Sequence, residues 1–333
     1  MEEKNTLKSG FGSRILHWIQ NYKQYIIQYF GLIFVIAVFL YLTDGDLFSA
    51  RNLETLIRQL VVILTITLGM AFIYSHGGMD ISVGAVVALS SLCATYVMNL
   101  TAGQVLPAIL VSIAVSVTCY LLNIIVTNQF GLMSTISSLS VMFVARGIVT
   151  YVNSMSTDKI EVHNTAGLEL FRSNTPFLIG TMAVLCIVMT VLFNLTKLGK
   201  QNRAIGDNPL SAMQSGVRVK KVKVEAYVLA GIMVGIAAVF SLSRTGSVSE
   251  KTGSGLEMDA IVALILGGMA LNGGAKSRIS SAIIGSFTYV LLNNGLVMAG
   301  VDTQVVSLIK GIIFLIVVFL TIRQPKSKKV LPR

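Results

Sequence analysis

Apolar residues run along this chain in blocks, most of them about 17–25 long, the length a helix needs to cross about 30 Å of hydrocarbon. Ten blocks stand out, at 26–42, 54–75, 80–99, 105–127, 132–152, 176–195, 224–243, 258–272, 279–299 and 303–322. They predict an all-α fold, a polytopic transmembrane helical bundle of about ten spans. The connections are mostly short. Two are long: 153–175, which carries Asp158, Glu161 and Glu169, and the strongly basic 196–223. The chain therefore divides into a polar N-terminal segment (1–25), a membrane domain (26–322) and a basic tail (323–333). No small-residue cleavage site follows the first apolar block, so that block is expected to remain as a helix.

Composition supports the same class. The 333 residues are 54% hydrophobic and only 12% charged, against about a quarter charged in soluble domains. The net charge of +11 does not point to nucleic acid, because the basic residues lie between apolar blocks. With the N-terminus inside, the inner segments hold 18 of the 26 Lys and Arg residues. The inside bias of membrane proteins then predicts an N-in, C-in arrangement and puts 196–223 in the cytoplasm. Within 1–25, Phe11, Ile15, Trp18, Ile19 and Tyr22 share one helical face, which predicts an amphipathic helix on the inner membrane surface. Cys93, Cys119 and Cys186 lie inside apolar blocks, and His17, His76 and His163 are scattered. No metal spacing results.

Few polar groups lie within the membrane. Gly77-Gly78-Met79-Asp80-Ile81-Ser82-Val83-Gly84 has two readings. Asp80 and Ser82 either cap the helix that follows or mark a broken helix whose freed backbone lines a path. Asn293 and Asn294 lie well inside the ninth block and need partners, either neighbouring helices or a solute. Arg146 and Lys310 are intramembrane charges, and Glu257 and Asp259 stand at the mouth of the eighth block. The candidate path residues are thus Asp80, Ser82, Arg146, Asp259, Asn293 and Asn294. Met79-Asp80 and Met258-Asp259 are separated by five blocks, the echo expected of two inverted five-helix halves. Gly231 and Gly235 form a GxxxG for close helix packing.

Catalytic and nucleotide-binding signatures are missing. Gly273-Gly274-Ala275-Lys276-Ser277 has the wrong glycine spacing for a phosphate loop, and no strand precedes it. The chain is expected to bind no cofactor and to be no enzyme. Its most organised polar stretch is 203–217. Gly206-Asp207-Asn208-Pro209 reads as a turn. Asp207 or Asn208 then caps a short helix from Pro209 to about Ser215, which Gly216 ends.

Five ordered motifs carry a resemblance: G-M-D-I-S-V-G at 78–84, S-T-I-S-S-L-S-V-M-F-V-A-R-G at 134–147, K-L-G-K followed by A-I-G-D-N-P-L-S-A-M-Q-S-G-V within 197–217, L-E-M-D-A-I-V-A-L-I-L-G-G at 256–268 and L-L-N-N-G-L at 291–296. Together they resemble the membrane permeases of ribose-type monosaccharide ABC importers, over about residues 50–322. The resemblance implies a multi-pass subunit in the bacterial inner membrane that brings a sugar or sugar-like solute into the cell. It implies three partners: a second permease copy or paralogue, a cytoplasmic ABC ATPase that uses the ATP, and an extracytoplasmic solute-binding protein. It also implies that Arg203, Gly206, Asp207, Asn208, Pro209, Ala212, Ser215 and Gly216 contact the ATPase. Related permeases for a nucleoside, an autoinducer furanose or a branched-chain amino acid remain alternatives. More distant ones are an ATPase-independent secondary carrier, which would need carboxylates deep in the membrane, and a non-transporting scaffold.

Overall fold

The computed structural model describes residues 29–156, 159–270 and 272–322. The expected amphipathic segment (1–25) and basic tail (323–333) lie outside them. The chain is helical almost throughout. In order come α1 (Tyr29–Leu42), α2 (Ala50–Ser75), α3 (Val83–Leu100), α4 (Val105–Phe130), α5 (Ser134–Met155), α6 (Glu169–Arg172), α7 (Thr175–Asn194), α8 (Lys197–Asp207), α9 (Pro209–Gln214), α10 (Val219–Thr245), α11 (Leu256–Leu266), α12 (Ile279–Met298) and α13 (Thr303–Ile322). Among the described residues, seven helices (α2, α3, α4, α5, α7, α10 and α12) are long and apolar enough to cross a membrane.

All ten apolar blocks contain helix, but among the described residues two fall short of their expected ends by three residues or more. The block at 258–272 is helical only as α11. At 1.5 Å per residue, eleven residues reach about 16 Å, half of what a hydrocarbon core requires. Glycine is the reason: Gly268, Gly273 and Gly274 all have positive φ, a region that costs glycine nothing. The block at 80–99 likewise becomes helical only at Val83, after the irregular stretch 76–82. The long connection 196–223 holds two helices, α8 and α9, where one was expected.

α2 and α10, at 26 and 27 residues, form the centre and pack on one another. Packing around them repeats. α4 lies along α10 as α12 lies along α2, α3 touches α10 as α11 touches α2, and α3 with α4 matches α11 with α12. Close approach needs small residues. Gly231 and Gly235 of α10 face the α4 backbone at Val117 and Ile113, and Gly69 of α2 faces Ala230. At one end, β1 (Ile160–Glu161) pairs antiparallel with β2 (Ser247–Val248). The Asn99 side chain ties this end down, donating to the Glu161 carbonyl and accepting from the His163 amide, both at 2.9 Å.

Candidate functional site

A cavity of about 400 Å³ opens between α2, α10, α11 and α12. Its volume falls within the range of about 300–1,000 Å³ common for small-molecule sites. Its walls are polar for a membrane bundle: Gln59 from α2, Arg244 from α10, Asp259 from α11, and Tyr289 and Asn293 one turn apart on α12. Lys251–Ser254, from the loop between β2 and α11, forms part of the rim. Lys310 of α13 donates to Asp259 Oδ1 at 3.2 Å and to the Tyr289 hydroxyl at 2.7 Å. This fixes the Asp259 carboxylate at the edge of the cavity and neutralises it.

Two expected path residues, Asp259 and Asn293, therefore share one cavity. Arg146 stands behind it. Its guanidinium donates to the carbonyls of Glu250 and Thr252, at 3.0 and 2.7 Å, and so holds the rim loop against α5. Asn294, about 100° further round α12, turns away and accepts from Asn52 Nδ2 at 2.9 Å. Asn52 also donates to the Leu47 carbonyl, so Asn294 anchors α12 to the start of α2.

Beneath the cavity two helices begin against one another. A Cβ added to Gly84, in the first turn of α3, would collide with the Gly253 carbonyl and the Glu257 carboxylate. Ser82 occupies the N-cap position of α3 but makes no capping bond. Its hydroxyl and amide both donate to Asp80 Oδ1, at 2.7 and 2.9 Å. Ser82 itself therefore does not cap α3, whereas Asp80 accepts the Ser82 amide immediately ahead of it. They lock to each other, and α3 begins inside the bundle with Glu257 beside it. Asp80 is fully buried. Among the described residues no group of three or more His, Cys, Asp or Glu side chains could hold a metal ion.

The opposite ends of α2 and α10 carry the second feature. From Gln59 to Ser75 α2 rises about 24 Å, so the cavity and the α8–α9 arm are far apart. α9 forms as its sequence predicts. Asn208 Oδ1 accepts from the Leu210 and Ser211 amides at 3.0 and 3.2 Å, and Pro209 is the first helical residue. At its end the Val217 amide bonds the Ala212 carbonyl and the Gly216 amide bonds that of Met213, both at 3.0 Å. This pairing around a left-handed glycine is the Schellman stop. Ala212 is buried with Ile205 and Val222, while Leu210 and Met213 are exposed. Ser215 bonds back to the Ser211 carbonyl. Arg203 lies over the Phe193 ring of α7 at 5.3 Å, so it pins the arm to the bundle.

The arm joins the bundle by backbone contact. A Cβ on Gly206 would strike the Ser75 carbonyl and the Gly274 amide. Gly274 itself donates to Ser75 at 2.9 Å, and Asp207 Oδ1 accepts from the Ala275 amide at 2.9 Å. Three segments (α8, the end of α2 and the stretch after α11) are thus fastened at one point. Neither Ala275 nor Ser75 could be singled out from the sequence, since a backbone partner leaves no mark on residue type.

The family model described as "Branched-chain amino acid transport system / permease component" matches residues 52–318. The chain belongs to this family. Its similarity to individual relatives extends over most of both chains. It is 31% identical over 292 residues to the ribose import permease protein RbsC of Bacillus subtilis (strain 168), covering 86% of this chain and 90% of the relative. It is 27% identical over 306 residues to the RbsC of Escherichia coli (strain K12), covering 90% and 93%. It is 28% identical over 282 residues to the galactofuranose transporter permease protein YtfT of the same strain, covering 83% and 80%. No solved structure matches. Within the family the chain is of the ribose-type ABC importer permease kind, as its five motifs lead one to expect.

Proposed function

We propose that this protein is the membrane-spanning subunit of an ATP-driven importer, and that it passes a neutral sugar from the cavity towards the face bearing α8 and α9. The observation that carries the reading is the separation of two unlike features along one helix pair. A polar cavity sized for a small solute lies at one end of α2 and α10, and a rigidly capped helix with exposed Leu210 and Met213 lies at the other. Gln59, Tyr289 and Asn293 offer hydroxyl, amide and ring contacts suited to a polyol. The names of the relatives, which include ribose and galactofuranose, support a sugar.

In this reading the cavity faces outward and receives the solute from a binding protein. Leu210 and Met213 enter a groove of a cytoplasmic ATPase, a mode in which a short helix lays apolar anchors into a partner. Gly206, Asp207, Asn208, Pro209, Ala212, Ser215 and Gly216 shape and fasten that helix, and Arg203 holds its base to α7. The ATP is bound by the partner. Closure of the ATPase pair would push α9, and the rigid contact at Ser75, Gly274 and Ala275 would carry the movement to the two helix breaks. A second copy or a paralogue completes the permease pair.

Reconstitution of the chain in liposomes with its ATPase and binding protein tests this. ATP-dependent sugar uptake is expected. Uptake that continues without the ATPase would overturn the reading.

A further inference from the structure

Between the cavity and the α8–α9 arm lies a cluster of polar side chains that the fold encloses without satisfying. Tyr74 of α2, His76 and Asp80 of the break before α3, Tyr120 and Asn123 of α4, and Tyr227 of α10 are all buried. The Tyr74 hydroxyl, both His76 ring nitrogens and both polar atoms of the Asn123 amide have no hydrogen-bond partner, while the Tyr120 hydroxyl lies towards Asp80 and that of Tyr227 towards Ser134. The rings are gathered together. His76 stacks on Tyr227 with centroids 6.0 Å apart, and Tyr120 lies 6.1 Å from Tyr227.

Burying such groups unpaired costs about 1–3 kcal/mol each, and native interiors avoid it. A set this concentrated is equipped to bind a polar occupant. Its chemistry narrows what that occupant is. Asp80 makes an anion unwelcome. His76 and Asp80 are too few to make a metal site, since among the described residues no group of three or more His, Cys, Asp or Glu side chains could hold a metal ion. Donors and acceptors interleaved with aromatic faces match a neutral compound with several hydroxyls.

Resting on the transport reading above, we infer that Tyr74, His76, Asp80, Tyr120, Asn123 and Tyr227 form a second, inner binding station for the hydroxyl groups of the solute, closed in this conformation. The α8–α9 arm is the element placed to open it. Tyr74 and His76 flank Ser75, whose carbonyl meets Gly206 and Gly274. A shift of the arm therefore acts directly on the segment that carries two of the cluster's side chains.

Thiol labelling of the full complex provides the test. Asn123→Cys would be introduced with Cys93, Cys119 and Cys186 replaced by serine, in proteoliposomes with the ATPase and binding protein. A small methanethiosulfonate reagent should label position 123 only while ATP is hydrolysed. Labelling should slow severalfold in the presence of D-ribose, D-allose or D-galactose, whichever the unsubstituted complex imports. In parallel, Tyr227→Phe, which alters one hydroxyl and leaves the ring packed, should raise the KM for that sugar more than it lowers kcat. Labelling that ignores the sugar, or a Tyr227→Phe complex with unchanged KM, would mean a chamber of water only and would overturn the inference. An unsubstituted complex that imports none of the three sugars fails the transport reading itself, and the inference with it.

Discussion

Asp207 accepts a hydrogen bond from the Ala275 amide at 2.9 Å, across 68 residues of sequence that include α9, α10 and α11. The bond uses Oδ1 as an acceptor and needs no charge. Asp207→Asn should therefore keep it, and Asp207→Ala should not. Because Asp207 is exposed, water can replace the lost acceptor, and the stability change should stay under about 1 kcal/mol. The expected loss is in coupling: sugar delivered per ATP hydrolysed falls severalfold in the alanine variant and is retained in the asparagine variant. Equal coupling in both would remove this contact from the drive train.

Asn293 and Asn294 are adjacent and should behave differently. Asn294→Ala removes the acceptor for Asn52 inside the bundle, at a cost of about 1–2 kcal/mol, read as a lower Tm in detergent. Asn293→Ala, at the cavity wall, should leave Tm nearly unchanged and cut uptake about tenfold. A reversed pattern would mean that the register of α12 is misassigned.

Lys310 and Asp259 form a pair with side chains 19% and 26% exposed. Removing one partner from a fully buried pair costs about 3–5 kcal/mol, and partial exposure lowers this to about 1–3 kcal/mol for Lys310→Met. The double variant Lys310→Met with Asp259→Leu should recover most of it. Denaturant titrations of the two single variants and the double variant give the coupling energy directly, and a double variant as unstable as the sum of the singles would refute the pairing.

Gly84→Ala should be far more damaging than its single added methyl suggests. Overpacking typically costs about 1–3 kcal/mol, and here the obstacles include a backbone carbonyl, that of Gly253, which has no rotamer to change. The measurement is the yield of monodisperse protein from membranes. Gly180→Ala, in a helix with open space at that position, is the control and should express normally.

The sequence carried the helices well because apolar length is a one-dimensional property. It also carried α9, since Asn208, Pro209 and Gly216 each impose a local geometry that needs no distant partner. It was silent where the decisive interaction is long-range. α11 was expected to run to residue 272 because hydropathy counts Met269 and Ala270 as readily as Leu264, and glycine conformation decided otherwise. Asp80 and Ser82 were legible as unusual, but not as locked to each other. Tyr74, Tyr120, Asn123 and Tyr227 gave no signal, because isolated polar residues on three different helices acquire meaning only once the fold gathers them. Carboxylates buried at a break, such as Asp80, also escape a search confined to the middles of helices.

The meeting of α3 and α11 at Gly84 has a consequence for what can pass. Each helix presents its N-terminus there, and each N-terminus carries about half a positive charge. Two such ends facing one place would attract a phosphate or a carboxylate, as broken helices do in carriers of anionic cargo. The Glu257 carboxylate, lying against Gly84, supplies that negative charge from within the chain. The place is spoken for, and on the proposed transport reading an anionic metabolite arriving from the cavity would meet a like charge there. On that reading, selection between neutral and anionic solutes would lie in the permease itself, before any preference among sugars is exercised.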